Sequence, residues 1–297
     1  MKNKFVRNAL AFFAIFTMTI TGAMANTLEK AKTTGKFTLA YRESSIPFSY
    51  LGEDGKPLGF GWEMCKLIAE EVKKQTGRKD LVVESQAVTS QNRIPLIQNG
   101  TVDVECGSTT NNSERGKQVT FAINYFYTGT RFLVKADSGI KSINDLKGKK
   151  VVSTTGTTNY QILRNLNDEK KYGFELLGAK DHADALLMVE SGMANAFGMD
   201  DILLYGLKAS SKESAKLAVV GESIQVEPYA IMFRKDDPKF QALVNKVITN
   251  SMKSGEFEKA YKKWFQTNIP PKNVNLNAPM SKELKDNLKA LSDKPAL

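Results

Sequence analysis

The chain has 297 residues, 41% hydrophobic and 25% charged, the balance of an ordinary folded protein rather than a disordered or fibrous one. Its formal charge is +10, but the lysines are scattered among acids and no dense basic run is interleaved with aromatics, which argues against a nucleic-acid partner. A single His and two Cys without a Cys-x-x-Cys pair argue equally against a zinc site.

Lys2, Lys4 and Arg7 precede an apolar stretch from Ala9 to Ile20, and Ala23-Met24-Ala25 offers small residues to a signal peptidase. That is the pattern of a secretory signal peptide, residues 1–25, with the mature chain beginning at Asn26. No Cys follows the cleavage site, so no lipid anchor and no membrane insertion are expected after processing. Without the three basic residues of this segment the charge falls from +10 to +7. About 270 residues remain, enough for one large or two medium domains.

Phe37–Tyr41 is a strand that runs into Arg42-Glu-Ser-Ser-Ile-Pro-Phe-Ser-Tyr50. Pro47 cannot donate to a ladder and so bars easy continuation in a central sheet. Asp54-Gly55 marks a turn, and the next helix sets Cys65, Ile68, Ala69 and Val72 on one face. A second strand (residues 81–85) leads to the polar run Thr89–Arg93 and a short helix-like segment closed by Asn99-Gly100. A third, beginning at Val102, breaks at Gly107 into hydroxyls and amides before Ser113-Glu114-Arg115 opens a helix. Arg42, Arg93 and Arg115 therefore stand beyond three successive strand ends. In open α/β sheets that edge is where ligands bind, and guanidinium groups with free backbone N–H groups suit a carboxylate.

Thr120–Lys135 is β-prone and long enough to cross into a second lobe, where the alternation restarts. Val151–Ser153 is a strand, Gly156-Thr157-Thr158-Asn159 opens a helix through Leu166, and residues 174–177 form the next strand. Asp181-His182 precedes a helix over Ala183–Ser191, and a strand from Ala194 ends at Met199-Asp200-Asp201. Leu217–Val220 and Tyr229–Phe233 are again β-like, the latter a candidate return crossing. Asp237-Pro238 starts a helix with Phe240, Leu243, Val244, Val247 and Ile248 in one stripe. A further helix carries Phe257, Tyr261, Trp264 and Phe265 on a core-facing side, and the polar tail holds one more short helix. Cys65 and Cys106 could pair in an exported protein, but both sit at apolar-face positions where a free thiol behaves as a small hydrophobe. The residues favour the unpaired state.

The segments Arg42-Glu-Ser-Ser-Ile-Pro-Phe-Ser-Tyr, Thr89-Ser-Gln-Asn-Arg-Ile-Pro-Leu, Glu105-Cys-Gly-Ser-Thr-Thr-Asn-Asn-Ser-Glu-Arg, Ser153-Thr-Thr-Gly-Thr-Thr and Lys180-Asp-His together resemble the periplasmic glutamate/aspartate-binding proteins of ABC amino-acid importers, in solute-binding protein family 3. The resemblance covers essentially the whole mature chain. It implies an α/β fold of the type II periplasmic-binding kind: two lobes, each a mixed sheet flanked by helices, joined by two hinge strands. Residues 26–128 would form the first part of lobe 1, residues 129–228 lobe 2, and residues 229–297 the return with the C-terminal helices. It implies a periplasmic monomer without cofactor or metal. This protein would bind glutamate or aspartate tightly and deliver it to an inner-membrane ABC permease, without catalysing a reaction. A dehydratase-type enzyme on the same fold, or a ligand carrier for a membrane chemoreceptor, are the alternatives.

Carried over by motif, the resemblance assigns Arg115 to the α-carboxylate, with Thr158 and backbone N–H groups of the Gly156-Thr157-Thr158 helix start. It assigns Asp200 to the α-ammonium, with Ser108 and Thr110. Arg42, Arg93, Ser90 and His182 would hold the side-chain carboxylate. It does not separate Asp200 from Asp201, and Asp200 is chosen. Three arginines against one aspartate leave this site two positive charges in excess, facing a ligand with one net negative charge. A neutral amino acid would leave Arg42 and Arg93 without an anion, which is costly. The helix start Gly61-Trp62-Glu63-Met64-Cys65 has no counterpart in the family pattern.

Overall fold

The computed structural model describes residues 26–296; the expected signal segment, residues 1–25, lies outside the described residues. Asn26 caps helix α1 (Thr27–Thr34), its side chain accepting from the Glu29 N–H at 3.0 Å. Strand β1 (Lys36–Tyr41) follows, and around Pro47 the chain folds back as a small antiparallel sheet, β2 (Ser44–Ser45), β3 (Ser49–Leu51) and β4 (Pro57–Leu58). Helix α2 (Phe60–Thr76) buries Phe60, Met64, Cys65, Ile68, Ala69 and Val72, residues three and four apart that make one stripe. Then come β5 (Val82–Ala87), α3 (Arg93–Gln98), β6 (Val104–Glu105) and the short α4 (Ser113–Gly116).

Strand β7 (Val119–Lys135) is 17 residues long, roughly 55 Å at about 3.3 Å per residue, and belongs to both lobes. The second lobe holds β8 (Lys150–Thr154), α5 (Thr158–Lys170), β9 (Glu175–Ala179), α6 (His182–Glu190), β10 (Ala196–Asp200), α7 (Asp201–Ser210) and β11 (Leu217–Val220). Strand β12 (Val226–Arg234) then returns antiparallel to β7, from Val226 opposite Gly129 to Arg234 opposite Val119. The first-lobe order is β5-β1-β6-β12-β7 and the second-lobe order β7-β10-β8-β9, with β11 on the other edge of β7. In each lobe three parallel strands meet an antiparallel partner drawn from the β7–β12 pair, so both sheets are mixed.

Helices α8 (Pro238–Ser254) and α9 (Glu256–Phe265), the small hairpin β13 (Asn268–Ile269) and β14 (Val274–Asn275), and α10 (Lys282–Ala290) complete the first lobe. Asp237 caps α8 with Pro238 at its first position, as the sequence signals. The aromatics of α9 face the core, where Phe48 meets Phe126 edge-on at 4.9 Å and Tyr261 stacks on Phe265 at 4.3 Å. The last residues form a strap: the Ala296 N–H donates to the Asn111 carbonyl at 2.9 Å, the Ser113 N–H to the Ala296 carbonyl at 3.2 Å, and the Asn111 side chain to the Asp293 carbonyl at 2.8 Å. Among the described residues no helix is long and apolar enough to cross a membrane.

The structure corrects the sequence reading in three places. Cys65 and Cys106 are joined in a disulfide, Cα atoms 5.7 Å apart, although the residues favoured free thiols. Both apolar faces were placed correctly, but they are the same contact, α2 lying against the end of β6. That contact also accounts for the helix start without a family counterpart. A Cβ at Gly61 would strike the Cys106 carbonyl, and Trp62 packs edge-on against Tyr41 at 6.1 Å. Helices α1 and α7 were not foreseen; the sequence reading ends the strand at Met199-Asp200-Asp201 and assigns no element before Leu217, whereas α7 follows β10 with no intervening loop.

Candidate functional site

The carboxyl ends of β1, β6, β8 and β10 face one another across the cleft, and each delivers polar side chains into it. A narrow, nearly closed cavity is lined by Ser90, Arg93, Ser108, Thr110, Thr157, Thr158, His182 and Asp200, together with Asn159, Met199 and Leu203. Eight of the ten anticipated residues thus converge on one space. Arg42 and Arg115 stand just behind its wall rather than on it.

Arg42 is fully buried. One amino group donates to Asp181 at 2.9 Å and lies 3.4 Å from His182 Nε2, while its Nε and the other amino nitrogen have no partner. Arg93, at the start of α3, donates weakly to the Ser108 carbonyl at 3.4 Å and leaves its Nε unpartnered, as is the Ser90 hydroxyl. Burial first, then the Arg115 charge, lowers the Arg93 pKa to about 9. Arg115 donates to the Thr110 carbonyl at 3.0 Å and, across the cleft, to the Gly156 carbonyl at 3.1 Å; burial lowers its pKa as well.

From the second lobe, Thr157 caps α5, its hydroxyl accepting from the Tyr160 N–H at 3.1 Å. His182 opens α6, with Nδ1 2.8 Å from the Thr154 hydroxyl. Burial, then the Arg42 charge, lowers its pKa to about 3, so the ring is neutral at physiological pH and has one N–H to give. Asp200 ends β10 and accepts from the Asn159 amide at 2.8 Å and from the Tyr229 hydroxyl. Burial and then Glu227 raise its pKa to about 7. Asp201 turns away from the cavity and accepts from the Thr128 hydroxyl at 2.7 Å.

Sequence reasoning missed three supporting residues: Asn159 and Tyr229, which hold Asp200, and the buried carboxylate Glu227; Glu105 is a further buried carboxylate. Glu105 accepts from Thr109 at 2.6 Å with its other oxygen unpartnered, and its charge acts on Arg93. Glu227 accepts from Thr110 at 3.1 Å and Thr158 at 2.8 Å. The excess of two positive charges inferred from the sequence is therefore lost: three arginines face four carboxylates, Asp181, Asp200, Glu105 and Glu227. The site's preference rests on where its charges stand rather than on their sum. Arg42, Arg93, Ser90 and His182 make one group; Asp200, Glu227, Thr110 and Thr158 make another, with Arg115 beside them.

Two α/β lobes on a shared pair of crossing strands, with charged groups from both converging on a cleft between them, define a two-lobed binding protein of the type II periplasmic-binding fold. Residues 37–267 match the model of the bacterial extracellular solute-binding proteins, family 3, and the chain belongs to that family. The L-glutamate/L-aspartate-binding protein of Pseudomonas aeruginosa is 50% identical over 274 residues, 92% of this chain and 91% of that protein. The glutamate/aspartate import solute-binding protein of Escherichia coli is 46% identical over 272 residues, 92% of this chain and 90% of that protein. Among solved structures, an ancestral arginine-binding protein bound to glutamine superposes with a TM-score of 0.70 at 29% identity, covering 78% of this chain and 98% of that one.

Proposed function

We propose that the chain is the extracytoplasmic binding protein of an ABC importer for glutamate and aspartate, acting as a periplasmic monomer that hands its ligand to an inner-membrane permease. The observation that carries the ligand assignment is the group of unpartnered buried donors on Arg42, Arg93 and Ser90. A buried donor without a partner costs about 1–3 kcal/mol, more if charged, and a carboxylate is the complement of such donors on Arg93 and Ser90, which line the cavity, and on Arg42 behind them. In this reading Arg42, Arg93, Ser90 and His182 take the side-chain carboxylate. Arg115 takes the α-carboxylate with backbone N–H groups at the start of α5, and Asp200 takes the α-ammonium with Ser108 and Thr110. Relatives named for glutamate and aspartate support the same choice. Calorimetry of the ligand-stripped protein against the common amino acids tests it; tight binding of a neutral or basic amino acid in preference to glutamate would overturn it.

The lobes touch directly across the cleft, through Arg42 and Ser44 with Asp181 and through Arg115 with Gly156. Hinge motion about β7 and β12, near residues 128 and 229, opens them for ligand entry. Small-angle scattering is expected to show a smaller radius of gyration with saturating glutamate than without it. An unchanged profile would rule out ligand-driven closure.

Asp200 gives the binding a pH dependence whose sign follows from its raised pKa of about 7. A ligand ammonium beside the carboxylate favours its ionised form and lowers that pKa in the complex. Below about pH 7 binding therefore expels a proton, and affinity rises with pH until it levels off above that point. Calorimetry at pH 6 in buffers of different ionisation enthalpy is expected to report proton release on glutamate binding, and Asp200→Asn to abolish it. Release that survives in the variant would assign the proton to another group.

Binding without turnover completes the reading. His182, neutral and buried, is a poor proton donor at physiological pH, and an ammonium on Asp200 removes that carboxylate as a base. Incubation with small hydroxy and amino acids, followed by NMR, is expected to return them unchanged.

A further inference from the structure

Glu227 lies in β12, where the chain recrosses between the lobes, and is almost fully buried. One carboxylate oxygen accepts from the hydroxyls of Thr110, in the first lobe, and Thr158, in the second, at 3.1 and 2.8 Å. The other accepts from the Gln225 amide at 2.8 Å. We infer that Glu227 is a positioning residue that fixes the polarity of these two cavity-lining hydroxyls, turning both into acceptors that select for a ligand amino group. The inference rests on the amino-acid-binding function proposed above.

The chemistry is a count of protons. A carboxylate has only acceptors, and each threonine hydroxyl has one proton and two lone pairs. Once both protons point to Glu227, neither hydroxyl can donate to a ligand. The two hydroxyl oxygens are 3.3 Å apart, and with both protons committed elsewhere no hydrogen bond joins them. Their remaining lone pairs face the cavity that both residues line, on the side where Asp200 already stands. A cationic N–H donor is the complement of that surface; a carboxylate oxygen is not. Thr158 then serves the ligand α-carboxylate through its backbone N–H at the start of α5, whereas its hydroxyl serves the ammonium. This divides the role that the family resemblance assigns to Thr158 as a whole. The rise in the Asp200 pKa caused in part by Glu227 is what two carboxylates sharing a cation site would produce.

The test compares glutamate with glutarate, the same dicarboxylate without the amino group, by calorimetry and by displacement of bound glutamate at millimolar glutarate. In the wild type glutamate should bind far more tightly. Glu227→Gln keeps the shape but can donate from its amide, freeing the hydroxyls to reverse. It is expected to narrow the glutamate-to-glutarate affinity ratio at least tenfold, with circular dichroism unchanged. Equal weakening of both ligands, or a ratio left as in the wild type, would reduce Glu227 to a structural role and overturn the inference. If Glu227→Gln does not fold, Thr158→Val and Thr158→Ser decide: the first should narrow the ratio and the second preserve it, and equal ratios in the two would overturn the inference. A wild type that binds neither ligand would instead refute the proposed function.

Discussion

Arg115→Ala is expected to abolish the binding of every amino acid, and Arg93→Met to remove only the preference for acidic ones. Arg115 reaches both the Thr110 carbonyl and, across the cleft, the Gly156 carbonyl, so it bridges the lobes; in the proposed reading it also anchors the end of the ligand common to all amino acids. Arg93 is held by one long hydrogen bond and its pKa is lowered to about 9, signs of a cation that lacks a full set of partners. In the proposed reading an acidic side chain supplies what is missing. Truncation should weaken glutamate and aspartate by about 2–5 kcal/mol, the range for breaking a buried charge pair. Glutamine should lose much less, because the same change removes the unpaired cation that excluded it. The glutamate-to-glutamine ratio, measured by calorimetry, is the decisive quantity. Equal loss of both ligands by a folded Arg93→Met protein would show that Arg93 does not read the side chain. An Arg115→Ala protein that still binds glutamate tightly would reverse the orientation of the ligand.

Loss of the Cys65–Cys106 bond should have the largest effect on stability. The two residues are 41 positions apart, and closing a loop of that length restricts the unfolded chain by about 4 kcal/mol on the chain-entropy model, within a usual range of about 2–5 kcal/mol for native disulfides. A Cys65→Ala, Cys106→Ala double variant is expected to lower the urea midpoint accordingly, and denaturation of the wild type with reductant to match it. An unchanged midpoint would mean that the packing of α2 on β6 holds without the bond. Because Cys106 precedes Ser108 by two residues, the variant should also bind glutamate more weakly at temperatures where it remains folded.

Much of this site is legible in the sequence because the decisive groups stand at strand ends. A strand followed by hydroxyls and an Arg announces itself, and Arg42, Arg93 and Arg115 could be read together before any fold was known. Asp200 and Asp201 stood together at the end of β10, and the resemblance that gave the pair a role did not separate them. Glu227 was not recognisable: between Val226 and Pro228 it resembles a solvent-facing residue of an alternating strand, and only the crossing of β12 with β7 covers it. Asn159 carried the ordinary signal of a residue near a helix start, and nothing local connects Tyr229 with a carboxylate 29 positions earlier. The cysteine pairing failed on similar grounds. Periodicity shows which face of an element is apolar, but it does not show which two faces meet.

The place of β12 in the first-lobe sheet also sets a timetable for the chain. This strand, residues 226–234, lies between β6 and β7, and the strap that closes on Asn111 comes from the final residues. The second lobe needs only consecutive sequence, whereas the sheet of the first joins strands more than a hundred residues apart. Such distant pairing forms slowly. A polypeptide made from its N-terminus onward therefore carries an unfinished first lobe until nearly all of it has been synthesised. The parallel strands β5, β1 and β6, although made first, complete their sheet only when β12 arrives.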